Sequence, residues 1–206
     1  PLWRRLYDAN SDNGTPYSPD PTSAGRRASR GLALAYLLAG GYPDASQLAL
    51  QQYENAGNMT DSMAAVTALA NWGDANTRAS VLRHFYDNWQ DDPLVIDRWF
   101  AVQACSPFTS VEEVQALMLH PAFSLRNPNR ARSVVFQFCM NNLAHAHSAQ
   151  GYQFWSDQVL ALDANRKPHV LALMDALTLH PEETIANLSH YLGIVSARTR
   201  LRLARK

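Results

Sequence analysis

The stretch PLVIDRWFAVQACSPFTSVEEVQALM, residues 93–118, decides the fold class. Pro93 suits the first turn of a helix, because its missing N–H would have no partner there anyway. Val95, Trp99 and Val102 then recur at three- to four-residue intervals, the spacing of one helix face. Ser-Pro-Phe-Thr interrupts the pattern. Ser110 with Glu113 forms a capping box ahead of Val111, Val114, Leu117 and Met118. The stretch thus reads as helix, short polar turn, helix, with no alternation of the kind a half-buried strand requires.

The same rhythm extends in both directions. Upstream, Asp74 opens a helix carrying Val81, Leu82, Phe85 and Trp89, and Met59, Met63, Val66 and Ala70 define another face. Asp44 with Gln47 resembles a capping box ahead of Leu48, Leu50 and Tyr53. Ser23 is placed to cap a helix through Leu32, Tyr36 and Leu37 that stops at Gly40-Gly41. Residues 1–21 read as a lead-in: Leu2, Trp3, Leu6 and Tyr7 at helical spacing, then a loop rich in Asn, Asp, Gly, Ser and Pro. Downstream, Asn127-Pro128 caps a helix through Val134, Val135 and Phe138. Three more are expected near Tyr152–Leu162, Pro168–Leu179 and Pro181–Leu192. The expectation is an all-α domain over residues 22–206, with about ten helices in stacked antiparallel pairs. This is an irregular α-solenoid or superhelix of the armadillo/HEAT kind, without a clean repeat period.

Composition narrows the function. The chain has 206 residues, 47% hydrophobic and 17% charged, with 18 Lys+Arg against 18 Asp+Glu. A net charge of zero disfavours a nucleic-acid binder, which usually carries a basic excess. No apolar run approaches the roughly 20 residues of a membrane span. Only Lys167 and Lys206 are lysines, so nearly all the positive charge is arginine, which tolerates partial burial and paired hydrogen bonding better than lysine; the blander reading is a GC-rich genome. Arg198, Arg200, Arg202, Arg205 and Lys206 form a basic tail that reads as a solvated end. Cys105 and Cys139 are too few for a disulfide framework and read as buried thiols of a cytoplasmic protein. The chain opens on Pro1 rather than Met, as a piece of a longer polypeptide would.

A search for chemistry finds no complete active site. None of the seven histidines is followed by Glu, and no pair is spaced i, i+4, so H-E-x-x-H is absent. His145 and His147, two apart, converge on one metal only in an extended segment. No G-x-S-x-G, G-x-x-x-x-G-K-[ST] or G-x-G-x-x-G occurs. Asp91-Asp92 and Glu112-Glu113 point about 100° apart and read as helix-end charges. The residues alone therefore give no catalytic residue, no metal ligand and no cofactor in this chain. They stop at a soluble, helical, interaction-type domain, which by itself reads as a free-standing helical scaffold that binds a protein partner in its groove.

Several segments are more specific. They are Ser23-Ala-Gly-Arg-Arg27, Asn58-Met-Thr-Asp61, Leu94-Val-Ile-Asp-Arg-Trp-Phe100, His120-Pro-Ala-Phe123, Arg126-Asn-Pro-Asn-Arg-Ala-Arg132, Gly151-Tyr152 and Val159–Asp163. In order and spacing over residues 2–165 they resemble the C-terminal domain of bacterial aminopeptidase N, a zinc-dependent alanyl aminopeptidase of the gluzincin class. The resemblance implies a helical superhelix that closes over the catalytic domain of the same polypeptide and controls peptide access to an internal chamber. It also implies that the zinc ligands, the general base and the G-x-M-E-N motif lie upstream, so zinc belongs to the full-length enzyme.

Arg130 and Arg132 leave one helix start about 200° apart, so one can point inward while the other faces a neighbouring helix. The family's chamber-lining arginine is the second of this block, which places Arg132 as the first substrate-chamber candidate and Arg130 as the second. The alternative has both arginines pairing with carboxylates between helices. Asp97 and Arg98 read as interhelical polar contacts, Trp99 and Phe100 as core. The chain departs from the family around residues 141–150 and again over 164–206, where Leu173 stands in place of an expected chamber-facing arginine.

Overall fold

The computed structural model describes residues 2–11 and 16–164, with side chains through residue 161. The helices expected at 168–179 and 181–192, Leu173 and the basic tail lie outside the described residues. Within them the chain is all-helical, in two compact units that divide between Asp92 and Pro93. Counting the rod 128–141 once, ten helical segments lie among the described residues.

The first unit holds α1 (Leu2–Ala9), α2 (Pro21–Ala39), α3 (Ala45–Glu54), α4 (Met59–Trp72) and α5 (Ala75–Trp89). Its helices pack on their sequence neighbours or next-but-one, as α2 does on α1, α3 and α4. The start of α2 differs from the expectation. Asp20, not Ser23, is the cap, and its Oδ1 accepts from the N–H groups of Thr22 and Ser23 at 2.9 and 3.0 Å. Pro21 explains the shift, since it has no N–H and begins the helix itself. The Ser18 hydroxyl, which donates to Asp20 Oδ2 at 2.6 Å, together with these bonds holds the Asp20 carboxyl below the usual carboxylate range. Asp44 precedes α3, but its side chain makes no cap hydrogen bond. Its φ and ψ of −99° and 7° are not the extended pair that brings a capping side chain onto the first N–H groups. Asn58 and Asp74 do cap α4 and α5.

Leu34, Leu37, Leu38, Val66, Leu69, Val81 and Phe85 form the core of this unit. Each side chain so buried contributes roughly 1.5–3 kcal/mol. Gly31 allows α2 and α4 to approach closely: a Cβ there would lie 3.0 Å from that of Ala64. A polar seam crosses α1, α2, α3 and α4. Arg30 donates to Tyr7 Oη at 3.2 Å and lies 3.8 Å from Asp61, while Gln52 donates to the Asp61 carbonyl at 3.0 Å.

The second unit holds α6 (Pro93–Cys105), α7 (Val111–Met118), α8 (Pro128–Ala131), a π turn (Arg132–Phe136), α9 (Gln137–Asn141), α10 (Leu143–Ala146) and α11 (Ala149–Ala164). Ile96, Phe100, Val114, Val134, Val135, Phe138 and Phe154 are the largest of its fully buried side chains. Both halves of the Ser110–Glu113 capping box form: Ser110 N–H donates to Glu113 at 2.6 Å, and Glu113 N–H to Ser110 Oγ at 3.3 Å. A contact that the sequence does not advertise ties the unit together. Asn142 Nδ2, 3% exposed, donates to the carbonyls of Ala104, Ser106 and Thr109 at 3.3, 2.8 and 2.8 Å. One amide group thereby fastens the α6–α7 turn to the end of α9.

Candidate functional site

Asn127 sets the local geometry. In extended conformation, its Oδ1 accepts from the N–H groups of Asn129 and Arg130 at 3.0 and 3.3 Å, and Pro128 fills the first helical position. The two arginines then take different environments. Arg130 is buried, with Nη1 3.1 Å from Asp97 Oδ1 on α6 and its guanidinium 5.2 Å from the Phe100 ring centroid. Arg132 is exposed. Asp97 thus makes an interhelical polar contact, and Trp99 and Phe100 are core.

Directly at Arg132 the helix widens. Gln137 N–H donates to the Arg132 carbonyl five residues back, the signature of a π turn. Ser133 Oγ donates to the Arg130 carbonyl at 3.0 Å. Ser133, Val134 and Val135 are buried in succession, because this rod meets both α6 and α7.

The Arg130–Asp97 pair is close but poorly aligned. Arg130 Nε and Nη1 and Asp97 Oδ1 are all buried without a hydrogen bond. Burial pushes the Asp97 carboxyl above its ordinary range, and the adjacent guanidinium only partly opposes that. His120 stands beside them, its ring 5.2 Å from Trp99 and 5.5 Å from Phe100. Its Nδ1 accepts from Ala122 N–H at 3.1 Å. Burial and then the Arg130 cation lower its pKa, so it is a neutral acceptor at pH 7. One cation and one neutral imidazole therefore flank Phe100, and one carboxylate sits against the cation. No nucleophile–base pair is among them. The arrangement can position a helix start and present a cation; it supplies no chemistry for bond cleavage.

The other sequence candidates separate. His145 Nε2 lies 3.0 Å from the Pro107 carbonyl, and His147 Nδ1 lies 3.0 Å from Tyr152 Oη. Their partners are different, and they do not form a joint site. Among the described residues no three His, Cys, Asp or Glu side chains are placed to hold a metal ion. Cys105 and Cys139 are free thiols whose pKa burial raises, Cys105 also donating to Gln137 Oε1 at 3.3 Å. Sequence reasoning missed His120 and the Phe100 platform as neighbours of Arg130. The only available signal was their membership in the His120–Phe123 and Leu94–Phe100 blocks.

Comparison with known proteins places this geometry. The family described as "Domain of unknown function (DUF3458_C) ARM repeats" matches residues 1–178. The chain is 39% identical over 155 residues to aminopeptidase N of Haemophilus influenzae, covering 73% of this chain and 17% of that protein. To aminopeptidase N of Caulobacter vibrioides it is 39% identical over 168 residues, covering 79% of this chain and 19% of that protein. The crystal structure of Legionella pneumophila aminopeptidase A in complex with aspartic acid is similar at TM-score 0.82 and 25% identity. That match covers 98% of this chain and 26% of the other. The chain thus spans under a fifth of the length of these aminopeptidase N relatives. It belongs to the DUF3458_C family of ARM-repeat domains, the C-terminal domain of aminopeptidase N.

Proposed function

We propose that this chain is a non-catalytic helical cap of a zinc aminopeptidase that removes N-terminal residues from peptides. In this reading it closes over the catalytic domain of the same polypeptide, and its helices limit which peptides enter the chamber. The described residues offer no donor set for zinc. In this reading zinc is held by the catalytic domain of the full-length enzyme, and no step of the reaction is built on this chain. The enzyme is read as cytoplasmic, where Cys105 and Cys139 remain thiols.

The observation that carries the proposal is the division of labour at Asn127, in a domain of the aminopeptidase N family. Arg130 is engaged by Asp97, whereas Arg132, at the same capped helix start, is exposed. An exposed guanidinium there suits the carbonyl oxygens or C-terminal carboxylate of a bound peptide. Such a charge-assisted contact contributes roughly 1.5–3 kcal/mol, or about one to two powers of ten in kcat/KM.

The test is kinetic, in the full-length enzyme. Arg132→Ala is expected to lower kcat/KM on a tetrapeptide by that factor while leaving a small alanyl anilide nearly unaffected and the melting temperature unchanged. If Arg132→Ala loses stability while tetrapeptide kinetics stay at wild type, the assignment of Arg132 is wrong.

A further inference from the structure

The first unit contains a pocket of about 430 Å³ that none of the preceding argument uses. Its volume lies in the range of small-molecule sites. It forms where α3 ends, α4 begins and α5 ends, so Tyr53 and Glu54, Met59, and His84, Asn88 and Trp89 line it together.

Its chemistry is one-sided. Glu54 is the only carboxylate among the lining residues, and no lysine or arginine is among them. Two helix C-termini, each carrying about half a negative charge, end at the pocket against one N-terminus. The Tyr53 and Trp89 side chains add aromatic surface, which attracts cations through the ring quadrupole. The polar wall is ordered: Tyr53 Oη lies 2.7 Å from His84 Nδ1, and the Asn88 amide donates to the same imidazole at 3.1 Å. Burial raises the Tyr53 pKa, so the phenol stays neutral.

We infer that this pocket binds an organic cation, an alkylammonium or guanidinium group, with Glu54 as counter-ion and Tyr53 and Trp89 as its aromatic walls. A free polyamine and the basic side chain of a polypeptide share that chemistry, and the probes separate them.

The 15N-labelled chain is titrated with agmatine, with Nα-acetyl-arginine amide, and with the uncharged isostere Nα-acetyl-citrulline amide. The expected result is a saturable shift of the Trp89 indole N–H and the Asn88 side-chain amide with the cations. The citrulline compound should bind at least about threefold more weakly. Glu54→Gln and Trp89→Leu should each weaken cation binding about two- to fivefold. Both positions are exposed, and circular dichroism checks that the fold is kept. Tighter binding of agmatine than of the arginine amide assigns the free amine, and the reverse assigns a polypeptide side chain. Equal binding of arginine and citrulline compounds overturns the inference. So does undiminished affinity in Glu54→Gln, or no saturation below about 10 mM.

Discussion

Removing Arg130 alone should destabilise the protein more than removing Arg130 and Asp97 together. The reason lies in the geometry of the pair. Nη1 and Oδ1 are 3.1 Å apart, yet neither they nor Arg130 Nε make an aligned hydrogen bond. The Asp97 carboxyl is raised in pKa chiefly by burial, with the Arg130 attraction second. Desolvation therefore outweighs the ion pairing, as is common for buried pairs. Arg130→Ala strands a carboxylate whose side chain is 17% exposed. Breaking a fully buried pair costs roughly 3–5 kcal/mol; the residual water contact here reduces that to about 2–3. For a chain of this size the melting temperature should fall by about 5–10 °C. Arg130→Met with Asp97→Leu keeps volume and removes both charges, and should lie within about 1 kcal/mol of wild type. The deficit of Arg130→Ala should also shrink on acidification. A native carboxyl titrating above its unfolded value binds the extra proton, so stability falls as pH rises through that window and recovers below it. Urea melts of wild type, both single variants and the double variant, at about pH 5 and pH 8, decide the matter. A double variant as unstable as the sum of the singles would refute the reasoning.

Three further outcomes follow from named contacts. Asn142→Ala deprives three carbonyls of their shared donor and should cost roughly 2–4 kcal/mol in a urea melt. Gly151→Ala should cost about 2–4 kcal/mol, because a Cβ there runs into the carbonyl oxygens of His145 and Ala146, which are backbone and cannot swing aside. His120 titrates below its ordinary value through burial and Arg130, so the unfolded chain takes up its proton first. Stability should then decline as pH falls from the usual histidine range toward the lowered native value. His120→Phe should flatten that decline in thermal melts across the window.

Much of the fold was legible because helices are local objects. The Val95–Trp99 and Val111–Val114 intervals, the Ser110–Glu113 box and the Asn127-Pro128 start depend only on residues at most four apart, and each stands in the structure. Where two local signals competed, the reading slipped. Ser23 and Asp20 both suit a cap, and the missing N–H of Pro21 decided for Asp20. Asp44 has the right side chain but a backbone conformation that the following residues do not dictate. The π turn escaped as well. It arises where one rod meets both α6 and α7, and no residue within Arg132–Phe136 encodes that demand.

The candidate site divides in the same way. Sequence alone placed Arg130 and Arg132 at one capped helix start about 200° apart, because helical geometry fixes that angle whatever surrounds it. Which of them is buried, and against what, depended on α6, about thirty residues earlier, which brings Asp97 and Phe100 beneath Arg130. The same holds for Asn142, whose three acceptors lie 33 to 38 residues away. Sequence fixes what a residue can offer within its own helix turn. Only tertiary packing decides which distant group receives it, because burial and partner distance are properties of two segments at once.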